Sequence, residues 1–465
     1  MTALAIEETP IPGLLLLRLP MHEDARGWFK ESWHREKMTA LGLPDFAPVQ
    51  SNVALSRLGA TRGVHAEPWD KYVSVSRGRV FAAWVDLREG PTFGATFHCE
   101  QGPATAVFVP RGVGNAYQVL EDDSAYAYLV NEHWRAGTTY PALSLTDPDA
   151  AIPWPIPLDA AEVSAKDLLN PTLDRVTPIP PRRTLVIGGR GQLGQALTAA
   201  IPTARAVDLD ELDVTDAEQL AAWAWQDYDV VVNAAAYTAV DAAETTTGRQ
   251  HAWALNASAP VALAALACRH RFALVHYSTD YVFDGTHSPH DEEEPVTPLG
   301  VYGQSKAAGD LAVRCVQRHY LIRTGWLCGD GHNFVRTITR MAEAGDRPQV
   351  VDDQIGRLTF ADELARATRH LLDTRAAYGT YNCTNAGPAM SWFEVARRVF
   401  EYCGRSPADV TPVSTTHYTE GKSTAHRPTN SVLDLAKLEA TGFVPEDARA
   451  ALQRYLGSHA TGASR

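Results

Sequence analysis

The sequence Thr184-Leu185-Val186-Ile187-Gly188-Gly189-Arg190-Gly191-Gln192-Leu193-Gly194 decides the fold of the second part of this chain. A short apolar run leads directly into glycines at 188, 191 and 194, and a helical pattern follows them. Glycines at these points allow a tight turn, the close approach of a pyrophosphate and the packing of helix on strand. Asp208 stands 20 residues after the first glycine, where a carboxylate can hold the hydroxyls of a ribose. The stretch therefore predicts a dinucleotide-binding site.

The type of dinucleotide stays open at this point. Asp210 can replace Asp208 as the acid beside the ribose, and Arg205 lies near enough in sequence to meet an additional phosphate. The sequence therefore predicts NADPH or NADH as the cofactor and does not choose between them.

Around this turn, apolar strands alternate with helical patterns. Strands are predicted at 184–187, 204–209, 229–233 and 272–278, and helices near 217–225 and 248–268. This alternation is typical of a doubly wound, parallel α/β sheet of the Rossmann type. We therefore expect an α/β domain over residues 184–465.

The first part of the chain has a different pattern. Short β-rich runs at 71–75, 80–87, 104–109, 117–120 and 125–130 are separated by glycine and proline, which is typical of an antiparallel sandwich or barrel. The proline-rich segment 177–183 separates the two patterns and predicts an extended linker. We therefore expect an all-β domain over residues 1–176.

Composition limits the classes of function. The chain has 465 residues, 45% hydrophobic and 21% charged, enough for two or three domains with substantial cores. Its net charge is −13 and neither half is basic, which argues against nucleic acid or an anionic membrane as a partner. Six cysteines without a Cys-x-x-Cys pair indicate neither a zinc ribbon nor a disulfide scaffold. No apolar stretch approaches the roughly 18 residues of a membrane span, so we expect a cytoplasmic protein.

A tyrosine and a lysine in the second part have the spacing of one helical turn. Tyr302 and Lys306 would share one helix face, where the ammonium lowers the pKa of the phenol toward working pH. Such a phenol can give a proton to a carbonyl oxygen as hydride reaches the carbon. A solvated surface pair is the simpler interpretation. It is disfavoured because Thr279 follows an apolar strand, at the end where an open α/β sheet carries its chemistry, and can bond the same oxygen.

Several segments of the second part resemble the dTDP-4-dehydrorhamnose reductase family, extended short-chain dehydrogenases with a small substrate-binding lobe. They are residues 188–194, 233–244, 278–285, 302–306, 323–326 and 352–356. The resemblance implies catalytic roles for Thr279, Tyr302 and Lys306. It implies cofactor contacts from Gly188, Arg190, Gly191, Gln192, Leu193, Gly194, Asp208, Asp213, Val214, Ala234, Ala235, Ala236, Tyr302 and Lys306. It implies substrate contacts from Thr238, Val240, Trp326, Asn333 and Gln354. Members of this family often depend on Mg²⁺ at a subunit contact, so Mg²⁺ is a candidate ion.

The first part contains no set of metal ligands. A metal-binding β-barrel of the cupin type needs several histidines and a glutamate on neighbouring strands, and only His65-Ala66-Glu67 is available locally. No metal site is therefore predicted. A single histidine such as His65 is more often structural than catalytic, so any role for it depends on a partner.

Segments of the first part resemble the dTDP-4-dehydrorhamnose 3,5-epimerase family, cupin-like jelly rolls that need no cofactor and are usually dimers. They are residues 26–31, 62–65, 78–94, 110–112 and 164–167. The resemblance implies that His65 is a base, Asp167 its orienting carboxylate, Tyr128 an acid on the opposite face and Lys71 a cation near the sugar oxygens. It implies nucleotide contacts from Arg26, Phe29, Glu31, Gln50, Asn52 and Arg62. The segment between His65 and Lys71 is shorter than in the family, which leaves open whether both C3 and C5 are epimerised.

Together the two resemblances imply consecutive steps on one sugar nucleotide. They imply a bifunctional enzyme that inverts C3 and C5 of dTDP-4-dehydro-6-deoxy-D-glucose and then reduces C4 to give dTDP-L-rhamnose, as a homodimer through the first domain. One alternative is an active reductase whose first half is a 3-epimerase only, or a module that binds the nucleotide sugar without catalysis. A second alternative is a non-enzymatic sensor, which would not need Thr279, Tyr302 and Lys306.

Overall fold

The computed structural model describes residues 3–134 and 139–460. The chain divides into two compact units, Met1–Pro181 and Arg182–Arg465. The predicted fold class is confirmed in both, with a β domain followed by a parallel α/β domain. The last residues of the first unit are packed onto it, because Ile179 is buried and exchanges backbone hydrogen bonds with Leu87 and Glu89.

The first unit is built from two sheets. Its strands are β1 Ala5–Glu8, β2 Leu15–Arg18, β3 His22–Asp24, β4 Gly27–Phe29, β5 Gln50–Ser56, β6 Ala60–His65, β7 Lys71–Arg77, β8 Val80–Asp86, β9 Thr96–Gln101, β10 Thr105–Val109, β11 Val113–Val119, β12 Ser124–Val130 and β13 Glu162–Val163. Helix α1 spans Arg35–Ala40, and short 3₁₀ turns span Asp167–Leu169 and Leu173–Arg175. The sequence patterns predicted neither the first six strands, β1 to β6, nor β9 and β13, and β11 begins earlier than the predicted run at 117–120.

The two sheets share one core. The six-stranded sheet has the order β1-β2-β10-β7-β12-β5 and the five-stranded sheet the order β13-β6-β11-β8-β9, with all pairs antiparallel except β13 with β6. Val73 and Val75 of β7 meet Trp84 of β8 and Tyr117 of β11 in a buried cluster. The alternation of side chains along each strand therefore places one face of each sheet against the other.

The second unit is centred on a parallel sheet. Its strands are β14 Arg183–Ile187, β15 Arg205–Val207, β16 Tyr228–Asn233, β17 Ala273–Thr279, β18 His319–Thr324, β19 Leu327–Cys328, β20 Gln349–Val351, β21 Ile355–Gly356, β22 Thr359–Phe360, β23 Gly379–Asn382, β24 Met390–Ser391 and β25 Thr411–Val413. The helices are α2 Gln192–Ala200, α3 Ala217–Ala222, α4 Thr246–Trp253, α5 Ala259–His270, α6 Val301–Arg314, α7 Phe334–Ala344, α8 Ala361–Asp373, α9 Trp392–Tyr402, α10 Thr415–Thr419, α11 Ala436–Glu439 and α12 Ala448–Ala460.

Helices cover both faces of this sheet, whose order is β15-β14-β16-β17-β18-β23. Leu185 of β14 packs with Leu263 of α5 on one face, whereas its neighbour Val186 packs with Leu197 of α2 on the other. The order reverses direction at β14, so the carboxyl ends of β14 and β16 form the crevice where such folds bind ligands. The short strand pairs β19–β22, β20–β25 and β21–β24 build, with α7, α9 and α12, a smaller lobe that has its own core.

The helix predicted at 248–268 runs from Thr246 to His270 and contains a π-helical turn, Ala254–Ser258. This stretch is long and apolar enough by composition to cross a membrane, which the sequence analysis did not anticipate. The finding is weak, since a core helix passes the same test, and Leu263 is fully buried against the sheet. The helix predicted at 217–225 ends at Ala222, because Trp223 is extended.

Candidate active sites

His65 and Asp167 are brought together in the first unit, although 102 residues separate them. His65 ends β6, and Asp167 begins a 3₁₀ turn. This turn is held against Gly63 by two hydrogen bonds: the Gly63 N–H donates to the Asp167 carboxylate, and the Asn170 amide donates to the Gly63 carbonyl oxygen. His65 Nε2 and Asp167 Oδ1 are 2.8 Å apart. Burial raises the pKa of Asp167, but the bonds from His65, Gly63 and Ser164 outweigh it and hold the pKa below its ordinary value. The carboxylate therefore stays ionised and fixes the imidazole, whose other ring nitrogen is left for a ligand.

Lys71 and Tyr128 form the second part of this cluster. Lys71 begins β7, its side chain is only 7% exposed, and its ammonium lies 5.8 Å from the centre of the Tyr128 ring. Burial raises the pKa of Tyr128, and the negative charge of Glu67 raises it further. Tyr128 is therefore a neutral phenol at physiological pH and can donate a proton.

Glu67 is a member of the cluster to which the sequence analysis gave no role. Its carboxylate forms an ion pair with Lys71, four residues later, and its charge also acts on His65 and Tyr128 in opposite parts of the cluster. The short segment that carries it is fixed at Asp70, which accepts hydrogen bonds from the backbone of Arg111 and the side chain of Asn131. The ion pair spaced at i, i+4 was the available sequence signal.

The residues predicted to hold a nucleotide lie at the surface of the first unit. Asn52 of β5 is directly opposite Tyr128 of β12 in the register, and the Gln50 side chain donates to Asn52 Oδ1. Arg62 is exposed, and its charge acts on Tyr128. The remaining three are exposed on β4 and its flanks: Arg26, which is paired with Asp24, Phe29, and Glu31, which is paired with Lys37.

The glycine turn of the second unit has the geometry that a dinucleotide requires. Gly188 has φ +81°, and a Cβ there would lie 2.8 Å from the Ala235 nitrogen. A Cβ on Gly194 would lie 2.0 Å from the Gly188 carbonyl oxygen. Gly191 is the N-cap of α2, whose first amides have no partner within the helix. The turn therefore offers N–H donors and a helix N-terminus to a pyrophosphate, and the residues present fit NADPH or NADH.

A groove of about 520 Å³ continues from this turn along the end of β15. Arg190 lines it, with its guanidinium 2.5 Å from Asp210 and its backbone N–H donating to Asp208. Burial raises the pKa of Asp208, but the N–H groups of Arg190 and Leu209 outweigh it and keep the carboxylate ionised. Arg205 does not line the groove; it pairs with Glu211. Arg190, rather than Arg205, is therefore the cation beside the predicted ribose site.

The other predicted cofactor residues differ in what they can offer. Ala234, Ala235 and Ala236 follow β16 and are partly exposed beside the glycine turn. Leu193 and Val214 are buried in the core, so a cofactor could meet only their backbone. The Asp213 side chain accepts hydrogen bonds from Thr215, and the Gln192 side chain bonds Gly329 and His332, so both are occupied within the protein.

Thr279, Tyr302 and Lys306 lie together at the carboxyl end of β17. Thr279 is the last residue of β17, and α6 carries Tyr302 and Lys306 one turn apart. The Tyr302 hydroxyl contacts the Thr279 side chain, and the Tyr281 ring packs edge-on against the Tyr302 ring. Lys306 Nζ donates to the Tyr277 carbonyl oxygen at 2.5 Å. The arrangement puts two hydroxyl groups where they can meet one ligand oxygen.

The expectation that Lys306 lowers the pKa of Tyr302 is wrong in this structure. Burial raises the pKa of Tyr302, and the ammonium bonds a backbone carbonyl instead of the phenol. Burial also lowers the pKa of Lys306, to about 8. Tyr302 is therefore protonated at physiological pH, which is the state that a proton donor to a ketone needs.

A cavity of about 390 Å³ lies beside Tyr281 in the smaller lobe. Of the predicted substrate residues, Val240 and Gln354 line it. Trp326 and Asn333 do not line it. Trp326 is 9% exposed and stacks at 3.6 Å on Trp392, which does line the cavity.

Asn333 and Thr238 also lie apart from the cavity lining. The Asn333 amide donates to Gly329 and Tyr455 and its oxygen caps α7, so its polar groups are used within the protein. Thr238 is exposed in the segment after β16. Substrate contacts by Asn333 and Thr238 remain predictions.

Arg427 lines the cavity and was missed by the sequence analysis. Its guanidinium pairs with Asp241 and contacts the Tyr281 hydroxyl, and its side chain is 22% exposed. It gives the cavity a cation suited to an anionic ligand. No local spacing connects residues 186 positions apart, so no simple sequence signal could have found it.

No metal centre was found among the described residues. Over 3–134 and 139–460, no group of three or more histidine, cysteine or acidic side chains is placed to hold an ion. Mg²⁺ at a subunit contact stays a prediction from the family resemblance.

The two folds and their sites define a sugar-nucleotide epimerase-type jelly roll joined to a dinucleotide-dependent reductase of the short-chain dehydrogenase class. Residues 182–460 match the family described as RmlD substrate binding domain, and residues 8–175 match dTDP-4-dehydrorhamnose 3,5-epimerase. The chain belongs to both families, each over one of its units.

Relatives are similar to each half separately. The first half is 45% identical to a protein RmlC homolog of Streptococcus pyogenes, over 37% of this chain and 90% of the relative. The second is 36% identical to a dTDP-4-dehydrorhamnose reductase of Aggregatibacter actinomycetemcomitans, over 58% of this chain and 97% of the relative. A Bacillus anthracis dTDP-4-dehydrorhamnose reductase, solved in complex with NADP, is 32% identical, with a TM-score of 0.54 over 60% of this chain and 99% of that one.

Proposed function

We propose that this chain carries out two consecutive steps toward dTDP-L-rhamnose. Its first domain, residues 1–176, would epimerise C3 and C5 of dTDP-4-dehydro-6-deoxy-D-glucose, and its second, residues 184–465, would reduce the C4 ketone, with 177–183 between them. The observation that carries the proposal is the presence on one chain of both side-chain clusters, the His65–Asp167 pair and the Thr279–Tyr302–Lys306 group.

The epimerisation needs one base and one acid. The 4-keto group acidifies the hydrogens on C3 and C5, so His65 can take one of them while the C–H electron pair forms an enolate. The ammonium of Lys71 stabilises the charge on the enolate oxygen. Tyr128, a neutral phenol, returns a proton to carbon from the opposite face, which inverts the centre. Asp167 holds His65 in place and stabilises the imidazolium that forms.

A nicotinamide cofactor, when bound, would supply the hydride for C4 and be oxidised in turn. The glycine turn and the N-terminus of α2 would hold its pyrophosphate. Tyr302 gives its phenolic proton to the C4 oxygen, and Thr279 contacts the same oxygen. Lys306 holds the backbone at Tyr277 and places a positive charge behind the site. Val240, Gln354 and Arg427 would receive the sugar nucleotide in the adjoining cavity.

The fusion of the two activities has a thermodynamic rationale. Epimerisation through an enolate is reversible, so removal of one epimer by reduction draws the equilibrium forward. A covalent link between the domains keeps the keto intermediate at a high local concentration. The six cysteines are free thiols, which is consistent with the reducing cytoplasm as the place of both reactions.

We further propose a homodimer through the first domain. β5 is an edge strand, and its Val53 and Leu55 side chains are 68% and 65% exposed. An edge strand with exposed apolar side chains tends to pair with another chain. Sedimentation of the protein and of the Val53→Lys variant tests this; a monomeric wild type would contradict it.

One experiment separates the two activities. The protein is incubated in D₂O with dTDP-4-dehydro-6-deoxy-D-glucose, with and without NADPH, and the sugar is identified by NMR. Without cofactor we expect deuterium at both C3 and C5, and with it dTDP-L-rhamnose. His65→Asn should lose the exchange, whereas Tyr302→Phe should keep the exchange and lose reduction. Deuterium at C3 alone would make the first domain a 3-epimerase, and no exchange would leave it a binding module.

A further inference from the structure

Asp280 is a buried carboxylate beside Thr279 that the proposed reduction leaves without a role. It begins the 3₁₀ turn Asp280–Val282 directly after β17, and the residue is only 2% exposed. A buried carboxyl group is costly unless its surroundings compensate it. Asp280 adjoins Thr279, whose hydroxyl belongs to the proposed reductase site. The groups around Asp280 can therefore influence that hydroxyl.

The pocket around Asp280 is fitted to its carboxyl group. Thr279 Oγ1 donates to Asp280 Oδ1 at 2.9 Å, and the Ser431 side chain contacts the same carboxyl group. A Cβ on Gly325 would lie 2.4 Å from Asp280 Oδ2, so the loop after β18 can approach only as glycine. Three separate segments of the chain therefore enclose this group.

The hydrogen bond from Thr279 determines what that hydroxyl can do. A hydroxyl has one proton to donate, and the Thr279 oxygen already accepts from the Tyr281 N–H at 3.1 Å and contacts Tyr302. While Asp280 is ionised, the single Thr279 proton is held by the carboxylate and is not available to a ketone. When Asp280 carries a proton, it can donate to Thr279 and leave the Thr279 proton free.

Burial and the neighbouring groups act on the pKa of Asp280 in opposite directions. Burial raises the pKa of Asp280 to about 6, while contacts with Ser431 and Thr279 and the charge of His290 act against burial. His290 is buried and its ring bonds Glu294. The negative charge of Asp280 adds to the rise in the pKa of Tyr281 and of Tyr302, which face it. An ionised Asp280 therefore also makes Tyr302 a weaker proton donor.

We propose that Asp280 is a positioning residue of the reductase, whose protonation state decides whether the Thr279 hydroxyl donates to Asp280 or to the C4 oxygen of the keto sugar. The inference rests on the proposed reductase function. The geometry determines the direction of the pH effect. The form with protonated Asp280 is the productive one, so hydride transfer is faster at a pH below the titration of this carboxyl group than at a pH above it. The difference corresponds to one net hydrogen bond, on the order of 2- to 12-fold.

The test isolates the reduction from the epimerisation. The full-length protein is first equilibrated with the keto sugar, then mixed rapidly with NADPH. The loss of nicotinamide absorbance in a single turnover is followed from about pH 5 to about pH 7, below the range in which Lys306 loses its proton. In the wild type, the rate of NADPH oxidation should fall by on the order of 2- to 12-fold as pH rises. Asp280→Asn, which cannot ionise, should show no such step. Thr279→Val, which lacks the hydroxyl, should show a smaller step than wild type, because only the effect of the Asp280 charge on Tyr302 remains.

The control variant is Asp284→Asn, a partly exposed carboxylate in the same loop that accepts hydrogen bonds from Thr286. It should keep the wild-type pH profile. The binding of NADPH, measured by the fluorescence of the cofactor, should be unchanged in all three variants. This control distinguishes a positioning role of Asp280 from a loss of structure. If Asp280→Asn keeps the step, or Thr279→Val keeps it at full size, the proposal for Asp280 is overturned and the reductase assignment stands. If wild type oxidises no NADPH, the proposed function itself fails.

Discussion

Replacing Asp167 by asparagine is expected to slow epimerisation about 10- to 30-fold while leaving reduction unchanged. Asparagine keeps the size and shape of the side chain but removes the charge that faces His65. The charge matters because His65 becomes an imidazolium when it takes the sugar proton. The pKa of Asp167 is below its ordinary value, so wild type carries this charge throughout the assay range.

The magnitude follows from the geometry of the pair. The Nε2–Oδ1 distance is 2.8 Å, and the Asp167 side chain is 6% exposed. A hydrogen bond to a charged group contributes about 1.5–3 kcal/mol net. Because the His65 side chain is 37% exposed, water screens the pair, and the lower part of that range, about 1.5–2 kcal/mol, applies. At about 1.4 kcal/mol for each factor of ten, the rate falls about 10- to 30-fold.

The assay is the uptake of solvent deuterium at C3 and C5 without cofactor, so the reductase takes no part. Asp174→Asn is the matched control, since this carboxylate lies in the same segment with its side chain 70% exposed. Thermal unfolding of both variants reports any loss of structure. Exchange by Asp167→Asn at the wild-type rate, in a folded protein, would refute the role given to the pair.

Three further changes test the second unit. Tyr302→Phe should lower the rate of NADPH oxidation by on the order of 10²–10⁴-fold, the usual contribution of a positioned acid, with NADPH binding intact; retention of the wild-type rate would remove Tyr302 from the mechanism. Gly194→Ala should abolish NADPH binding in titrations, because its Cβ would lie 2.0 Å from the Gly188 oxygen; the first unit should still exchange deuterium, and normal binding would contradict the predicted turn. Arg190→Ala should raise the KM for NADPH by about 10-fold, the equivalent of one charged hydrogen bond, and leave the KM for NADH within about twofold. Equal effects on both cofactors would show that Arg190 does not meet the phosphate that distinguishes them.

Much of the second unit could be predicted because its signals are local. The conformation at Gly188 and the contact of Gly194 with the preceding turn depend on a few consecutive residues, and the sequence therefore indicated them. The alternation of Leu185 and Val186 between two cores follows from the period of a strand. The first unit was harder, since the partners of β5 and β6 are strands far away in sequence, and neither run has a strong apolar alternation of its own.

The same distinction between local and long-range signals applies to the candidate sites. Spacing selected Tyr302 and Lys306, and the resemblance to the epimerase family selected His65 and Asp167. The structure places these residues in two clusters. The spacing also suggested that Lys306 lowers the pKa of Tyr302, and this was wrong, because the lysine finds a closer partner in the Tyr277 carbonyl. A helical turn fixes which face two side chains share, but not which atom a flexible ammonium will bond.

By itself, the sequence determined that two domains of different class follow one another and where the glycine turn lies, and it named the side chains that are proposed to carry the chemistry. The tertiary structure alone decided the pairing of Arg427 with Asp241, the pocket in which Asp280 meets Ser431 and Gly325, and the directions of the pKa shifts. The physical reason is that the conformation of a turn is set by neighbouring residues, whereas desolvation and long-range charge depend on everything that the folded chain brings around a group.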